Sequence, residues 1–156
     1  MYHYTNSGLD NVWLENGYTV HQTPYGGGVS IEDVSGLHRM LACRIANKTG
    51  PLSRKELRFL RAFLELSQEG LGKLVGVDAQ TVSLWERRTK LPVAAEAVIR
   101  MLAIQTAEGT SEVTKIIDRI NTVERLVNQR IVASEHRKSW KTQTVSAEDS
   151  RFSLAA

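Results

Sequence analysis

The strongest structural signal in this sequence lies in Leu66-Ser-Gln-Glu-Gly-Leu-Gly-Lys-Leu-Val-Gly-Val-Asp-Ala-Gln-Thr-Val-Ser-Leu-Trp-Glu86. Ser67 can cap a helix, because its hydroxyl oxygen accepts a hydrogen bond from a backbone amide of the first turn. The apolar residues that follow share one helical face, at Leu71, Leu74 and Val75. Gly76 can then adopt the left-handed conformation that ends a helix. The segment therefore opens with a short helix that stops at a glycine.

A second helix is expected directly after this glycine. Val77 is the expected buried residue of the turn, and Asp78 can cap the helix that follows. Val82 and Trp85 lie three positions apart and are expected to face inward. Two short helices joined by a glycine-containing turn form a helix-turn-helix, whose second helix enters the major groove of DNA.

These residues resemble the Xre family, which has the helix-turn-helix of Cro and the phage repressors. The matching positions are Leu66-Ser67-Gln68, Leu71, Leu74-Val75-Gly76-Val77, Thr81-Val82-Ser83 and Trp85-Glu86. The resemblance covers roughly Leu52 to Ile104 and implies a five-helix domain with the motif as its second and third helices. The sequence departs from the family at Gly72, where alanine is usual, and at Arg87-Arg88, where a glycine normally closes the recognition helix. We expect Gly72 to be a point of close packing.

Candidate DNA contacts lie on the face of the second helix opposite Val82 and Trp85. Gln80 can form a bidentate pair with adenine, whereas Ala79 and Leu84 can touch only thymine methyl groups. The resemblance implies that Gln80 and Leu84 contact base edges. It also implies that Gln68, at the start of the first helix of the motif, contacts a phosphate. Each side chain could instead be merely solvated, or covered by a partner. The full set of expected DNA-binding residues is Gln68, Ala79, Gln80, Thr81, Ser83, Leu84, Arg87, Arg88 and Lys90.

Charge and composition limit the kinds of partner and the cellular compartments that are compatible with this sequence. Residues 51–104 carry nine Lys/Arg against six Asp/Glu, residues 1–50 carry three against four, and residues 105–156 carry eight against seven. The basic excess therefore lies on the half expected to meet phosphates. A single cysteine fits a reducing cytoplasm and excludes an intrachain disulfide. No apolar run approaches the ~20 residues of a membrane span, and no basic-then-apolar leader begins the chain, so a cytoplasmic protein is expected.

Residues 1–50 are expected to form a separate module for dimer or partner binding. Asn16-Gly17 can form a type I′ turn, which predicts a hairpin from Val12 to Val20. Residues 23–28, with three glycines, are expected to form a flexible loop. They lack the Gly-Lys-Ser/Thr of a phosphate-binding loop.

A helix is expected from Ser30-Ile-Glu-Asp33 to about Asn47, since Val34, Leu37, Leu41 and Ile45 recur three or four positions apart. Gly50-Pro51 marks the joint before the central domain.

Metal binding and catalysis find little support in these residues. Zinc sites usually contain closely spaced Cys or His pairs, and His3, His21, His38 and Cys43 do not form such a set. Cys43 is expected to be a small buried apolar residue. No paired carboxylates or nucleophile motif stands out, so we expect no enzyme, no metal and no cofactor.

The central domain, residues 51–108, begins with a capping box at Ser53 and Glu56. The basic residues of the helix that follows are assigned to its solvated side, at Arg54, Lys55, Arg58 and Arg61. Pro92 is expected at the first position of the last helix of the domain.

A C-terminal helix is expected over residues 109–133. Its apolar residues follow heptad spacing at Val113, Ile116, Ile120, Val123 and Val127, continuing to Arg130 or Ile131. This seam is either a dimer contact or, because Ile117 and Leu126 widen it, a face that packs back on its own domain. Residues 134–156 have no lasting period and are expected to be a mobile basic tail, whose Arg137, Lys138 and Lys141 could assist DNA binding electrostatically.

The predicted fold class is α+β, mostly α, with a small strand-and-helix module before a five-helix repressor-like domain. The predicted function is a dimeric repressor that reads a palindrome in double-stranded DNA, with half-sites about 34–36 Å apart. The order of a strand module before Xre helices is also similar to the MqsA-type antitoxins. That similarity implies an alternative in which the N-terminal module binds a toxin protein, although the zinc cysteines of those antitoxins are missing here.

Overall fold

The N-terminal residues form two short antiparallel sheets. The computed structural model describes residues 1–109, 112, 115–117, 119 and 130–145, without the side chains of residues 130, 144 and 145. Strand β1 (Tyr2–His3) pairs with β2 (Trp13–Leu14), and β3 (Tyr18–Thr23) pairs with β4 (Gly26–Ile31).

The predicted hairpin across Asn16-Gly17 is therefore wrong. Gly17 does adopt a positive φ of 73°, but its carbonyl accepts a hydrogen bond from the Glu32 amide at 2.9 Å, and this bond extends the β3–β4 ladder. The hairpin turn lies at Pro24-Tyr25, because Thr23 is paired with Gly26. Residues 26–28, expected in a loop, belong to strand β4.

Five helices follow: α1 (Val34–Ala46), α2 (Arg54–Phe63), α3 (Gln68–Val75), α4 (Ala79–Arg87) and α5 (Val93–Ala107). The predicted capping box is present, since Glu56 N donates to Ser53 Oγ at 3.2 Å and Ser53 N donates to Glu56 Oε2 at 2.8 Å. Helix α1 begins at Val34 and is capped by Asp33, whose carboxylate accepts from Gly36 N at 3.0 Å, whereas Ser30 belongs to β4. Pro92 is the N-cap of α5 rather than its first helical residue.

A leucine-rich core holds these helices together. Its largest fully buried side chains come from the four helices α2 to α5 and from Leu64, the C-cap of α2. They are Leu57, Leu60, Leu64, Leu71, Val82 and Ile99. Complete burial of a side chain of this size contributes about 1.5–3 kcal/mol to folding. The predicted inward positions Val82 and Trp85 are confirmed, at 0% and 5% exposure.

The first fifty residues belong to the same compact unit as the central helices, Met1–Ile117. Helix α1 packs against α5, and Tyr4, only 4% exposed, donates or accepts a hydrogen bond at 2.9 Å with His38 of α1. The Arg100 guanidinium of α5 donates to the carbonyls of residues 46, 48 and 50.

These contacts span the predicted boundary at residue 50, so that boundary does not separate two compact units. The range 51–108 contains four helices rather than five, and α1 packs on them from the N-terminal segment.

A second unit contains the C-terminal hairpin, which we define as β5 (Arg130–His136) and β6 (Ser139–Val145). The predicted helix to residue 133 is wrong over residues 130–133, which belong to β5. The predicted tail without regular structure is wrong over residues 134–136 and 139–145, which are paired strands joined by a turn at 137–138; residues 146–156 of that tail lie outside the described residues. β-Branched residues at Ile131, Val132, Thr142 and Thr144 favour extended pairing. Residues 112, 115–117 and 119 are helical as predicted.

Three further observations concern the described residues only. No helix among them is long and apolar enough to cross a membrane. No group of three His, Cys, Asp or Glu within this part of the chain is arranged to hold a metal ion. Cys43, expected to be buried, is partly exposed.

Candidate nucleic-acid interface

The turn between α3 and α4 sets the direction of the candidate recognition helix. Gly76 ends α3 with a φ of 81°, and the Val77 amide donates to the Gly72 carbonyl at 2.8 Å. A Cβ atom on Gly72 would lie 2.5 Å from the Val77 carbonyl oxygen, so the backbone of the turn occupies the space of a side chain. The predicted close packing at Gly72 is confirmed.

Asp78 fixes the first turn of α4. Its Oδ1 accepts from the Thr81 amide at 2.7 Å and from the Thr81 hydroxyl at 2.6 Å. These bonds keep the pKa of the Asp78 carboxyl below its ordinary value. The hydroxyl hydrogen of Thr81, one of the predicted DNA contacts, is donated to Asp78 inside the turn. The Thr81 side chain therefore braces the helix end instead of projecting freely.

The predicted DNA-binding residues opposite Val82 and Trp85 share the outer side of α4. Gln80 is exposed, and Ala79, Ser83 and Leu84 are partly exposed, while Val82 and Trp85 support the helix from behind. The structure thus brings these four side chains together at the surface. Arg87, Arg88 and Lys90 are exposed at and beyond the end of the same helix.

Glu86 connects three helices beneath this surface. The residue is 4% exposed, and its carboxylate accepts from Arg61 Nε at 2.5 Å and from Arg61 Nη2 at 3.2 Å. Gln68 Nε2 donates to Glu86 Oε2 at 3.0 Å, and Arg58 Nε lies 3.7 Å from the same oxygen. The carboxylate therefore joins α4 to α2 and to the start of α3.

This cluster changes the interpretation of two residues. Arg61, assigned to the solvated side of α2, has a side chain only 18% exposed and is paired with Glu86. Gln68, expected to meet a phosphate, directs its amide to Glu86. The sequence signal for Glu86 was its place in the Trp-Glu ending of the motif, but its basic partner lies 25 positions earlier in the chain.

Burial raises the pKa of the Glu86 carboxyl, but the hydrogen bonds from Arg61 and Gln68 and the nearby guanidinium charges outweigh burial. The net pKa is below its ordinary value. The pKa of Glu56 is also lowered: its burial is outweighed by hydrogen bonds from Lys48 and Ser53 and by the Lys48 charge. Both groups are thus held in the ionised form by the fold.

We expect the free energy of unfolding to fall in acid. A carboxyl whose pKa is depressed in the folded state contributes stability that is fully present above its unfolded-state pKa and is lost as the pH falls through the folded-state pKa. Urea unfolding between pH 7 and about pH 3 measures this loss. Glu86→Gln, which cannot titrate, should show a shallower decline than the unaltered chain. Parallel declines of the two proteins would contradict the assignment of Glu86.

Basic residues extend the surface from α4 towards α2. Arg54 Nη2 donates to the Arg88 carbonyl at 2.8 Å, and Arg87 Nε donates to the Ser83 carbonyl at 3.3 Å. A cavity of about 680 Å³ lies beside them, with Trp85, Arg88 and Lys90 among its lining residues. The helical pattern predicts only a solvated position for Arg54, and it gives no signal that Arg54 lies next to the end of α4.

Of the predicted dimer seam, the structure describes Ile116 and the two alternative last positions, Arg130 and Ile131, which lie in strand β5 rather than in a helix. Ile116 is 47% exposed, whereas the neighbouring Ile117 is 7% exposed and packs in the core of the first unit. Val113, Ile120, Val123 and Val127 lie outside the described residues. At this point of the helix one isoleucine packs back on its own unit and the other remains on the surface.

Comparison with known proteins gives no independent assignment. No family model matches the chain, and neither a characterised protein nor a solved structure is significantly similar to it.

Proposed function

We propose that this chain is a sequence-specific regulator that binds double-stranded DNA through α4 and acts as a dimeric repressor. The observation that carries the proposal is the outward face of α4, where Gln80, Ser83 and Leu84 are presented while Val82 and Trp85 are buried behind them. A helix exposed in this way, after a glycine turn and a capped start, is suited to the major groove. The resemblance of this segment to Xre regulators supports the same function.

Gln80 is the proposed base-reading residue. Its amide can donate to N7 or accept from N6 of adenine, and a bidentate pair of this kind discriminates by about 1–3 kcal/mol. Leu84 and Ala79 contribute apolar contact with thymine methyl groups. Ser83 can donate or accept a single hydrogen bond to a base edge.

The proposed phosphate contacts surround this face. Arg87, Arg88 and Lys90 provide exposed cations at the end of α4. Gln68 and Thr81 stand at the starts of the two helices, where backbone amides of a first turn also favour anions. Because Gln68 and Thr81 also hydrogen-bond within the protein, their contribution would come mainly from positioning these helix starts.

A homodimer would place two copies of α4 on half-sites about 34–36 Å apart. The predicted seam from Val113 to Val127, in which the described Ile116 is exposed, is the proposed contact between the copies. This arrangement predicts a bound sequence with two-fold symmetry.

The experiment starts with selection of duplexes from a random-sequence pool, followed by sequencing of the retained DNA. Gln80→Ala should weaken binding to the selected duplex by about tenfold or more and leave binding to unrelated duplexes unchanged. Arg87→Ala should weaken binding to all duplexes and reduce the slope of log K against log salt by about 0.9.

Matched controls lie on other elements than α3 and α4, at the exposed residues Gln22 of β3 and Arg39 of α1. Gln22→Ala and Arg39→Ala should leave both affinities unchanged. Failure of the unaltered chain to enrich any sequence would overturn the proposal, as would equal effects of Gln80→Ala on selected and unrelated duplexes.

A further inference from the structure

The C-terminal hairpin has an unusual tip. Arg137 and Lys138 form the two-residue connection between His136 and Ser139, with φ values of 51° and 61°. Positive φ at both central residues is the type I′ geometry that Asn-Gly or Gly-Gly adopts most easily. The turn is held by the Lys138 amide, which donates to a carboxylate oxygen of Glu135. Two long cationic side chains thus occupy positions that local backbone preference would give to asparagine and glycine.

The C-terminal hairpin carries an excess of positive charge. Residues 130–145 contain four Lys/Arg and one Asp/Glu. Directly opposed residues of an antiparallel pair lie on the same face. Lys141 is paired with Ser134, and the pair Glu135 and Trp140 lies on the other face. Among residues 131–143, the face of Lys141 therefore carries no carboxylate, and the acidic Glu135 is already engaged in the turn.

The side chains of residues 131–143 are all exposed, including Trp140 at 71%. A two-stranded hairpin with both faces solvated is marginal in water, so contact with another molecule would stabilise it. A polyanion matches the charge. The shape of the hairpin also fits duplex DNA, because the major groove, about 12 Å wide, admits a two-stranded β-ribbon.

We propose that the C-terminal hairpin is a second DNA contact, which binds the phosphate backbone of duplex DNA through Arg137, Lys138 and Lys141. This inference rests on the proposed function of the chain and adds a sequence-independent contact to the base-reading helix. Phosphate contacts fix position and affinity, whereas base contacts carry the discrimination. The hairpin therefore raises the affinity for all duplexes without changing the preferred sequence.

The test uses the full chain with the double substitution Arg137→Asn and Lys138→Gly. Asn-Gly favours the type I′ turn, so the hairpin is retained while both cations are removed. The test uses a labelled random-sequence duplex. The negative slope of the logarithm of the association constant against log salt should become shallower by about 1.8, and affinity at 0.15 M salt should fall roughly 10- to 30-fold. Lys141→Gln should lower the slope by a further ~0.9.

The charge-preserving control is the double substitution Arg137→Lys and Lys138→Arg, which should leave the slope and the affinity unchanged. Discrimination between the selected and unrelated duplexes should be the same in both double variants and in the unaltered chain. A variant that loses discrimination instead of general affinity would contradict the assignment of a phosphate contact.

Failure of this inference differs from failure of the proposed function. If the unaltered chain binds no duplex, both are overturned. If it discriminates between duplexes but the Asn-Gly variant keeps the same salt slope, only the hairpin contact is overturned. Sedimentation velocity supplies the remaining outcome: loss of self-association with an unchanged slope would identify the hairpin as a contact between copies and overturn the DNA contact.

Discussion

Glu86→Ala is expected to lower the free energy of unfolding by about 3 kcal/mol. Removal of one partner of a buried ion pair leaves the other charge without compensation, which typically costs about 3–5 kcal/mol. Arg61 keeps some solvent access, with 18% of its side chain exposed, so the lower end of this range applies. The Gln68 amide loses its acceptor at the same time. Urea unfolding at pH 7 measures the effect as a lower midpoint with little change in slope.

Glu69→Ala is the matched control for this prediction. Glu69 lies 3.2 Å from Lys73 in an exposed pair four residues apart on α3. Pairs of this kind contribute about 0.3–0.5 kcal/mol. Glu86→Gln, which retains an acceptor oxygen but no charge, should fall between the two variants. Equal losses for Glu69→Ala and Glu86→Ala would show that the buried carboxylate does not hold the three helices together.

The parts of the fold that sequence reasoning predicted correctly depend on neighbours within one helical turn. Ser67 and Asp78 each accept a hydrogen bond from an amide three residues ahead, and Gly76 adopts the positive φ that a helix end requires. Such features are encoded by residue type and spacing. The orientation of α4 followed from them, because Val82 and Trp85 share its apolar side.

Strand pairing was harder to predict because it depends on residues far apart in the chain. Asn16-Gly17 offers a good local turn, yet β2 pairs with the N-terminal Tyr2–His3 and β3 pairs with β4. The tip of the C-terminal hairpin carries Arg137-Lys138, which gives no turn signal of the Asn-Gly kind. Sequence reasoning therefore favoured the wrong turn in one place and missed a real turn in the other.

In the candidate site too, the features set by neighbouring residues were predictable, and those set by distant residues were not. The exposed face of α4 was predicted from helical spacing, but the inward position of Arg61 depends on Glu86, 25 residues away. The packing of the first fifty residues on α5 likewise depends on Arg100, whose guanidinium reaches carbonyls about fifty positions earlier. A pattern within one helix gives no information on such partners.

Gly72→Ala is expected to lower the free energy of unfolding by about 1–3 kcal/mol, the usual cost of an added methyl group in a closely packed site. Two opposing effects decide whether the free energy of unfolding rises or falls. Alanine favours a helix over glycine by about 0.8–1.0 kcal/mol. Against this, the new Cβ would lie 2.5 Å from the Val77 carbonyl oxygen and 3.2 Å from the Asp78 carbonyl carbon. Both atoms are backbone, so they cannot move away by a change of rotamer.

The same substitution should affect the recognition helix, because Val77 and Asp78 lead directly into α4. A displaced turn would move α4, and Gln80 with it, relative to α2, so binding to the selected duplex should weaken more than the loss of stability alone explains. Gly28→Ala is the control: a Cβ at Gly28 meets no atom within 4 Å. It should change the free energy of unfolding by no more than about 0.5 kcal/mol. A Gly72→Ala protein that is more stable than the unaltered chain would mean that the α3–α4 turn yields easily, and the direction of α4 would then need another explanation.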